Sequence, residues 1–490
     1  MKIIKCFRNK LFITFILIFT AYFSGAFVSV CLAKSTDCVR IFDYGTKSIK
    51  VLDSNNRKLN INGQDVADYD ANNGVLTLNN YKCELLTVTE SAISVEPNEN
   101  ETFTIKISGE NLIKSDSNFS DEILGVKDCI RIDGAKSGTV LFTGTGQLKI
   151  DMAKTEFYTC GIYAYGNLKI ESEEMDIASY GCAIHSKSNI DILGNSKLNL
   201  KAWSTEDGKY LADGLYADKD LTISDNAKVI TEGFDTAMYS SGGNISILDN
   251  AVVESNAMAE SHLENNPYAV CGILTDNNIF IKGNAKVKAY GLDCGILAGD
   301  GPEISKSTIT ISESAVVEAT GKNTFGIAVY GILNILDNAE VYAKTNFSQE
   351  EQEYDTCAIQ AIEDINIKNN AVVEALGDTY GIAAKNGNIN LHGGIIKSFG
   401  QGLEGAAFSK KPVILGKKFK IFAGNDENTS ALVNELDDHT NSKWIKVNFP
   451  QAEPKKQIYI VIFIIIGALL LLGLLAFYIF KKSKSKIQNA

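Results

Sequence analysis

The sequence predicts an all-β solenoid, a single-stranded parallel β-helix with three short strands and about 24 residues per coil, followed by one C-terminal transmembrane helix. Three observations predict it: an internal repeat, period-two alternation within each copy, and one long apolar run near the end. The repeat is clearest in Leu333–Ala343, Leu-Asn-Ile-Leu-Asp-Asn-Ala-Glu-Val-Tyr-Ala, with close copies opening at Leu221, Ile245, Ile279, Ile309 and Ile365. Each copy alternates apolar and polar residues, turns at Asp-Asn or Gly-Asn, and alternates again, which reads as two strands joined by a corner. A third strand follows in Gly161-Ile-Tyr-Ala, Cys182-Ala-Ile-His, Gly214-Leu-Tyr-Ala, Gly295-Ile-Leu-Ala and Gly381-Ile-Ala-Ala.

Copies start at residues 148, 168, 190, 221, 245, 279, 309, 333, 365 and 389, so spacings cluster at 20–24 with longer ones of 30–34. Three-strand units with such regular corners suit coils that hydrogen-bond only to their neighbours, about 4.8 Å apart. Six prolines and 40 glycines in 490 residues fit many short strands and tight turns.

The ends carry targeting signals. Lys2, Lys5, Arg8 and Lys10 precede an apolar run and the small-residue site Cys31-Leu-Ala33, which reads as a secretory signal peptide over 1–33. Residues 34–65 then form an N-terminal cap, since an uncovered solenoid end would expose strand edges. The solenoid occupies 66–424, and 425–457 form a C-terminal cap and tether. The 23 uncharged residues Ile458–Phe480 suffice to cross a hydrocarbon core. Lys481, Lys482, Lys484 and Lys486 then place the tail 481–490 in the cytoplasm and the body outside, as a single-pass cell-membrane protein.

With the four basic residues of the signal, the two just before the span and the four after it set aside, 37 Lys and Arg face 59 Asp and Glu, a net of −22. That charge argues against nucleic acid as a partner and keeps a repeat array soluble.

Alternation points Ala251, Val253, Ala285, Val287, Ala315, Val317, Ala339, Val341, Ala371 and Val373 inward. Corner asparagines align at Asn195, Asn226, Asn250, Asn284, Asn338 and Asn370; Asn tolerates the left-handed backbone of a sharp bend, and stacked amides can bond along the solenoid. Cys160, Cys182, Cys271, Cys294 and Cys357 share one slot before the third strand. Cys160 with Cys182, and Cys271 with Cys294, fall in adjacent coils within disulfide reach; the same alignment also describes a ladder of buried thiols.

Long spacings put their extra residues mostly between the second and third strands. These loops carry Trp203, Tyr210, His262, Tyr268, Phe347 and Tyr354 amid Glu206, Asp207 and other acidic groups. Aromatic faces for sugar rings, with carboxylates for hydroxyls or Ca²⁺, make them the candidate glycan-binding face; no cofactor is expected beyond Ca²⁺ as an option. No cofactor motif and no Cys/His metal spacing is present; His185, His262 and His392 are far apart in coil number. Asp225, Asp249 and Asp337 precede corner asparagines and read as corner residues, and no arginine occurs between 140 and 420 to serve a lyase.

Tyr69-Asp-Ala-Asn-Asn-Gly-Val-Leu-Thr-Leu-Asn-Asn, the recurring Gly-Ile-Tyr-Ala and Leu-Thr-Ile units, and Phe422-Ala-Gly-Asn-Asp through Trp444-Ile-Lys-Val resemble surface proteins of Gram-positive bacteria with carbohydrate-binding-type parallel β-helix domains. The resemblance implies a right-handed helix and binding of cell-surface polysaccharide; its motifs are core and corner positions, so it transfers no binding residue. The expectation is a membrane-anchored protein that binds polysaccharide or acts in adhesion. A polysaccharide lyase or hydrolase on the same fold, and a passive surface rod, are the alternatives.

Overall fold

The computed structural model describes residues 39–450 apart from 86–90, 98, 116–127, 135–137, 153–157, 205–211, 260–268, 300–306, 346–355, 403–404, 417 and 437–440. The expected signal peptide, membrane span and basic tail lie outside the described residues, among which no helix is long and apolar enough to cross a membrane. The chain divides into two units, Met1–Asn448 and Phe449–Ala490, and every described strand lies in the first.

That unit is all-β and built from three sets of short strands, each pairing in parallel with its counterpart one repeat on. The first set runs through Ile190–Ile192, Leu221–Ile223, Ile245–Ile247, Ile279–Ile281 and Thr308–Ile311 to Ile389–Leu391. The second runs through Lys197–Trp203, Lys228–Gly233, Val252–Ala257, Lys286–Gly291 and Val316–Gly321 to Ile395–Gly400. The third forms a 14-stranded sheet whose parallel part runs from Ile93–Val95 to Ala406–Phe408.

Antiparallel strands close both ends. Val39–Asp43 pairs with Ser48–Leu52 and covers the edge of Ile93–Val95, while Trp444–Asn448 lies antiparallel to both Ile395–Gly400 and Lys420–Gly424. Such pairing occupies edges that would otherwise recruit further strands.

Side chains repeat as the backbone does. Ile190, Leu221, Ile245, Ile279, Ile309, Leu333, Ile365 and Ile389 are fully buried, as are Ala251, Ala285, Ala315, Ala339 and Ala371 beside the corners. Like residues thus stack on like residues, which is how a narrow β core is filled. Where strands two and three meet, buried hydroxyls hold the corner: Thr231 Oγ1 donates to the Ala237 carbonyl and Ser255 Oγ to that of Gly272, each at 2.7 Å.

Two details differ from the sequence expectation. Leu148 is not the first-strand counterpart of Leu168; Leu168 pairs with Val140, and Leu148 with Met175 of the second set. In this early part strands one and two run together as Thr139–Asp151 and Asn167–Tyr180, bent by an irregularity between Gly144 and Gln147 where later coils have an Asn corner. The second detail concerns the corners. The left-handed residue is the one before the aligned Asn: Asp225, Asp249, Glu313, Asp337 and Asn369 have φ of 58–64°, and Gly194 and Gly283 take the same place at 68° and 77°. Only short polar residues or glycine tolerate that conformation cheaply, Glu313 being the exception.

Candidate functional site

The aligned asparagines serve as an amide ladder. Asn226 Nδ2 donates to Asn195 Oδ1 at 3.2 Å, Asn250 to Asn226 at 3.2 Å and Asn284 to Asn250 at 3.0 Å. Ser314 then occupies the corner, and the ladder resumes with Asn370 donating to Asn338 at 3.0 Å. A second ladder lies on strand one, from Asn390 through Asn366 to Asn334. Because each amide is both donor and acceptor, the set satisfies itself and is structural.

Of the loop residues expected to bind glycan, only Trp203 is described; Glu206, Asp207, Tyr210, His262, Tyr268, Phe347 and Tyr354 lie outside the described residues. Trp203 ends its strand opposite Tyr180, with Lys201 Nζ 5.2 Å from its ring centre.

A groove lies elsewhere, on the outer face of the second-strand sheet. It has a volume of about 500 Å³ and is lined by Tyr290, Tyr342, Lys288, Lys344, Glu318 and Glu374 together with Ala289, Thr320, Ala343 and Leu376. Parallel register builds it: Lys288, Glu318, Tyr342 and Glu374 form one outward column, and Tyr290, Thr320, Lys344 and Leu376 the next. Tyr290 and Tyr342 are two coils apart, about 10 Å along the stack. Trp203 is three coils before Tyr290 and does not line this groove.

Tyr342 donates its hydroxyl to Glu340 Oε2 at 3.1 Å. Partial desolvation, that bond and the carboxylates of Glu340, Glu374 and Glu318 raise its phenol above the ordinary value, so it stays a neutral donor. The groove therefore offers two aromatic rings between groups of both charges, the chemistry that recognises a polyhydroxylated chain.

The third sheet carries a different aromatic column. The Arg131 guanidinium lies 5.4 Å from the Tyr163 ring centre; Tyr163 meets His185 edge-on at 5.1 Å, His185 stacks on Tyr216 at 4.3 Å, and Tyr216 on Tyr239 at 5.1 Å. Ring faces taken up by one another leave little for a sugar, which favours the groove.

The aligned cysteines Cys160, Cys182, Cys271, Cys294 and Cys357 are buried free thiols, and Cys271 is in direct register with Cys294. Cys271 and Cys294 pack among Leu274, Leu297 and Ala328. Cys160 and Cys182 sit instead in a polar pocket: the Tyr158 hydroxyl is 3.4 Å from Cys182 Sγ and 3.9 Å from Cys160 Sγ. The Cys160 thiol hydrogen-bonds Cys182, which together with His185 and Tyr158 holds the Cys182 thiol below its usual range, while that same bond and burial push Cys160 up.

Sequence reasoning missed the groove and the Cys160–Cys182–His185 contact. Period two points Tyr290 and Tyr342 outward, but their adjacency rests on coil register. Compared with known proteins, the chain matches no family model, no curated protein and no solved structure. Fold and sites thus define the class alone: an all-β repeat protein of stacked parallel strands.

Proposed function

We propose that the chain is a membrane-anchored cell-surface protein whose right-handed parallel β-helix binds polysaccharide through the outer face of its second-strand sheet. The observation that carries this reading is the groove, with Tyr290 and Tyr342 framed by Lys288, Lys344, Glu318 and Glu374. Repeating coils suit a repeating ligand, since neighbouring sugar units meet neighbouring rungs. In this reading residues 1–33 direct export, 458–480 anchor the body, and the tail is cytoplasmic. A glycan array probed with the full chain in detergent micelles, with and without Ca²⁺, tests it. The expected result is saturable binding to a polysaccharide class that falls in the Tyr290→Ala/Tyr342→Ala variant; an array with no ligand refutes it.

One observation favours a second reading, hydrolysis. Glu318 and Glu374 lie two coils apart in one column on either side of Tyr342, with Cα atoms about 10 Å apart, which puts two carboxylates on one face of the groove as a two-carboxylate hydrolase needs. Release of reducing ends from a bound glycan, abolished by Glu318→Gln, supports hydrolysis; binding with no release restricts the protein to adhesion.

A further inference from the structure

We propose that Cys160, Cys182 and His185 form a binding site for a thiophilic divalent metal ion of the zinc class. Their ligand atoms lie within 4.8 Å of one another and all three residues are buried. Tetrahedral coordination with Zn–S near 2.3 Å and Zn–N near 2.0 Å sets donors roughly 3.5–3.8 Å apart, so closure requires only rotamer-scale adjustment.

The histidine is oriented for ligation. Its Nε2 meets Asp218 Oδ1 at 3.0 Å, and Lys187 Nζ holds the other oxygen of that carboxylate at 3.4 Å. The remaining nitrogen, Nδ1, is buried without a hydrogen-bond partner. A carboxylate that fixes one ring nitrogen while the other faces the metal is the usual outer support of zinc-bound histidine.

A second observation bears on the same column. Asp213 occupies the slot of Cys182 one coil on, is 2% exposed, and its Oδ2 has no partner. Asp128 stands at the other side, 6% exposed, its Oδ1 accepting from the Cys160 amide at 3.3 Å. Two thiols and two carboxylates are thus concentrated in one buried column. Arg131, partly exposed, is the cation paired with Asp128 and Asp133. Buried carboxylate oxygens without partners are costly, and an adjacent metal ion offsets that cost. The Cys271–Cys294 pair repeats the thiol register in a mainly apolar cluster, with the Asp293 carboxylate near Cys271 and no histidine in the metal-ligating set, and serves as the internal control. On binding, each thiol of Cys160 and Cys182 releases its proton to solvent and its sulfur lone pair fills the metal coordination position.

The test uses the full chain in detergent, reduced and stripped with chelator, then titrated with Co²⁺ as a spectroscopic probe and Zn²⁺ as competitor. The expected result is a saturating thiolate-to-cobalt absorption band that Zn²⁺ displaces. The band is lost in Cys160→Ser, Cys182→Ala and His185→Gln and kept in Cys271→Ala and Cys294→Ala. Asp218→Asn weakens affinity by about 10- to 100-fold. Should Cys182→Ala fail to fold, judged by its far-ultraviolet spectrum, Cys160→Ser and Asp218→Asn carry the comparison. Absence of the band in the folded chain, its survival in Cys160→Ser, or a Cys160–Cys182 disulfide found by mass spectrometry in the chain isolated without reductant overturns the proposal.

Discussion

Replacing Asn250 by Ala removes two rungs of the corner ladder, the bond from Asn250 to Asn226 at 3.2 Å and that from Asn284 to Asn250 at 3.0 Å. Replacing Asn338 removes one, the bond from Asn370 at 3.0 Å, because Ser314 precedes it in the stack. Net contributions of about 0.5–1.5 kcal/mol per hydrogen bond, at the low end for these exposed amides, give about 1–2 kcal/mol for Asn250→Ala and about half that for Asn338→Ala. Neither side chain is in the core, so cavity terms cancel in the comparison. Urea unfolding of the full chain in detergent, followed by circular dichroism, reads the difference as a shift in midpoint at constant slope. Equal costs for the two variants, or no cost for either, would refute the reasoning that amides of successive coils support one another.

Asp249 has φ 58°, so Asp249→Val is expected to cost about 1–2 kcal/mol in the same assay while Asp249→Gly costs less, its loss limited to the bond from the Asp225 amide to Asp249 Oδ2. Ile279→Ala, at a fully buried rung, is expected to cost about 2–5 kcal/mol, and an exposed-site value below 1 kcal/mol would place it off the core. The Cys83 thiol is pushed by burial from 9.0 to about 12 despite a hydrogen bond with Tyr81, so folding favours its neutral form. That stabilisation is fully present below pH 9 and is lost as pH rises to about 12. Urea midpoints measured across this window should fall for the parent chain and fall less for Cys83→Ala.

Much of the architecture was legible because coil position, corner and core share one sequence pattern. Ala251 and Val253 point inward by alternation alone, and both are buried. The asparagine alignment read directly as the ladder. What could not be read was the left-handed residue, since Asp-Asn offers two candidates for one bend and propensity does not choose between them. Leu148 was misplaced because Thr139–Asp151 bends at glycines and lacks the corner that marks a coil elsewhere. The groove required the register of four successive strands, and its tyrosines sit at positions that carry Asn, Thr or Glu in neighbouring coils, so no motif marks them. Cys182 and His185 are three residues apart, which strict alternation assigns to opposite faces. The strand begins only at Ile184, so Cys182 lies in the bend before it, free of that rule.

Ladder, groove and thiol–imidazole cluster all depend on one step per coil. Nitroxide pairs on genetically encoded ketone side chains at Lys197/Glu340 and Lys197/Ile395 measure that step by pulsed electron resonance. The first pair is separated by five parallel registers and the second by seven. At about 4.8 Å each, distances near 24 Å and 34 Å are expected, set by coil number whatever the loop lengths between. Distances that do not grow by about 10 Å between the two pairs would contradict the stacked arrangement.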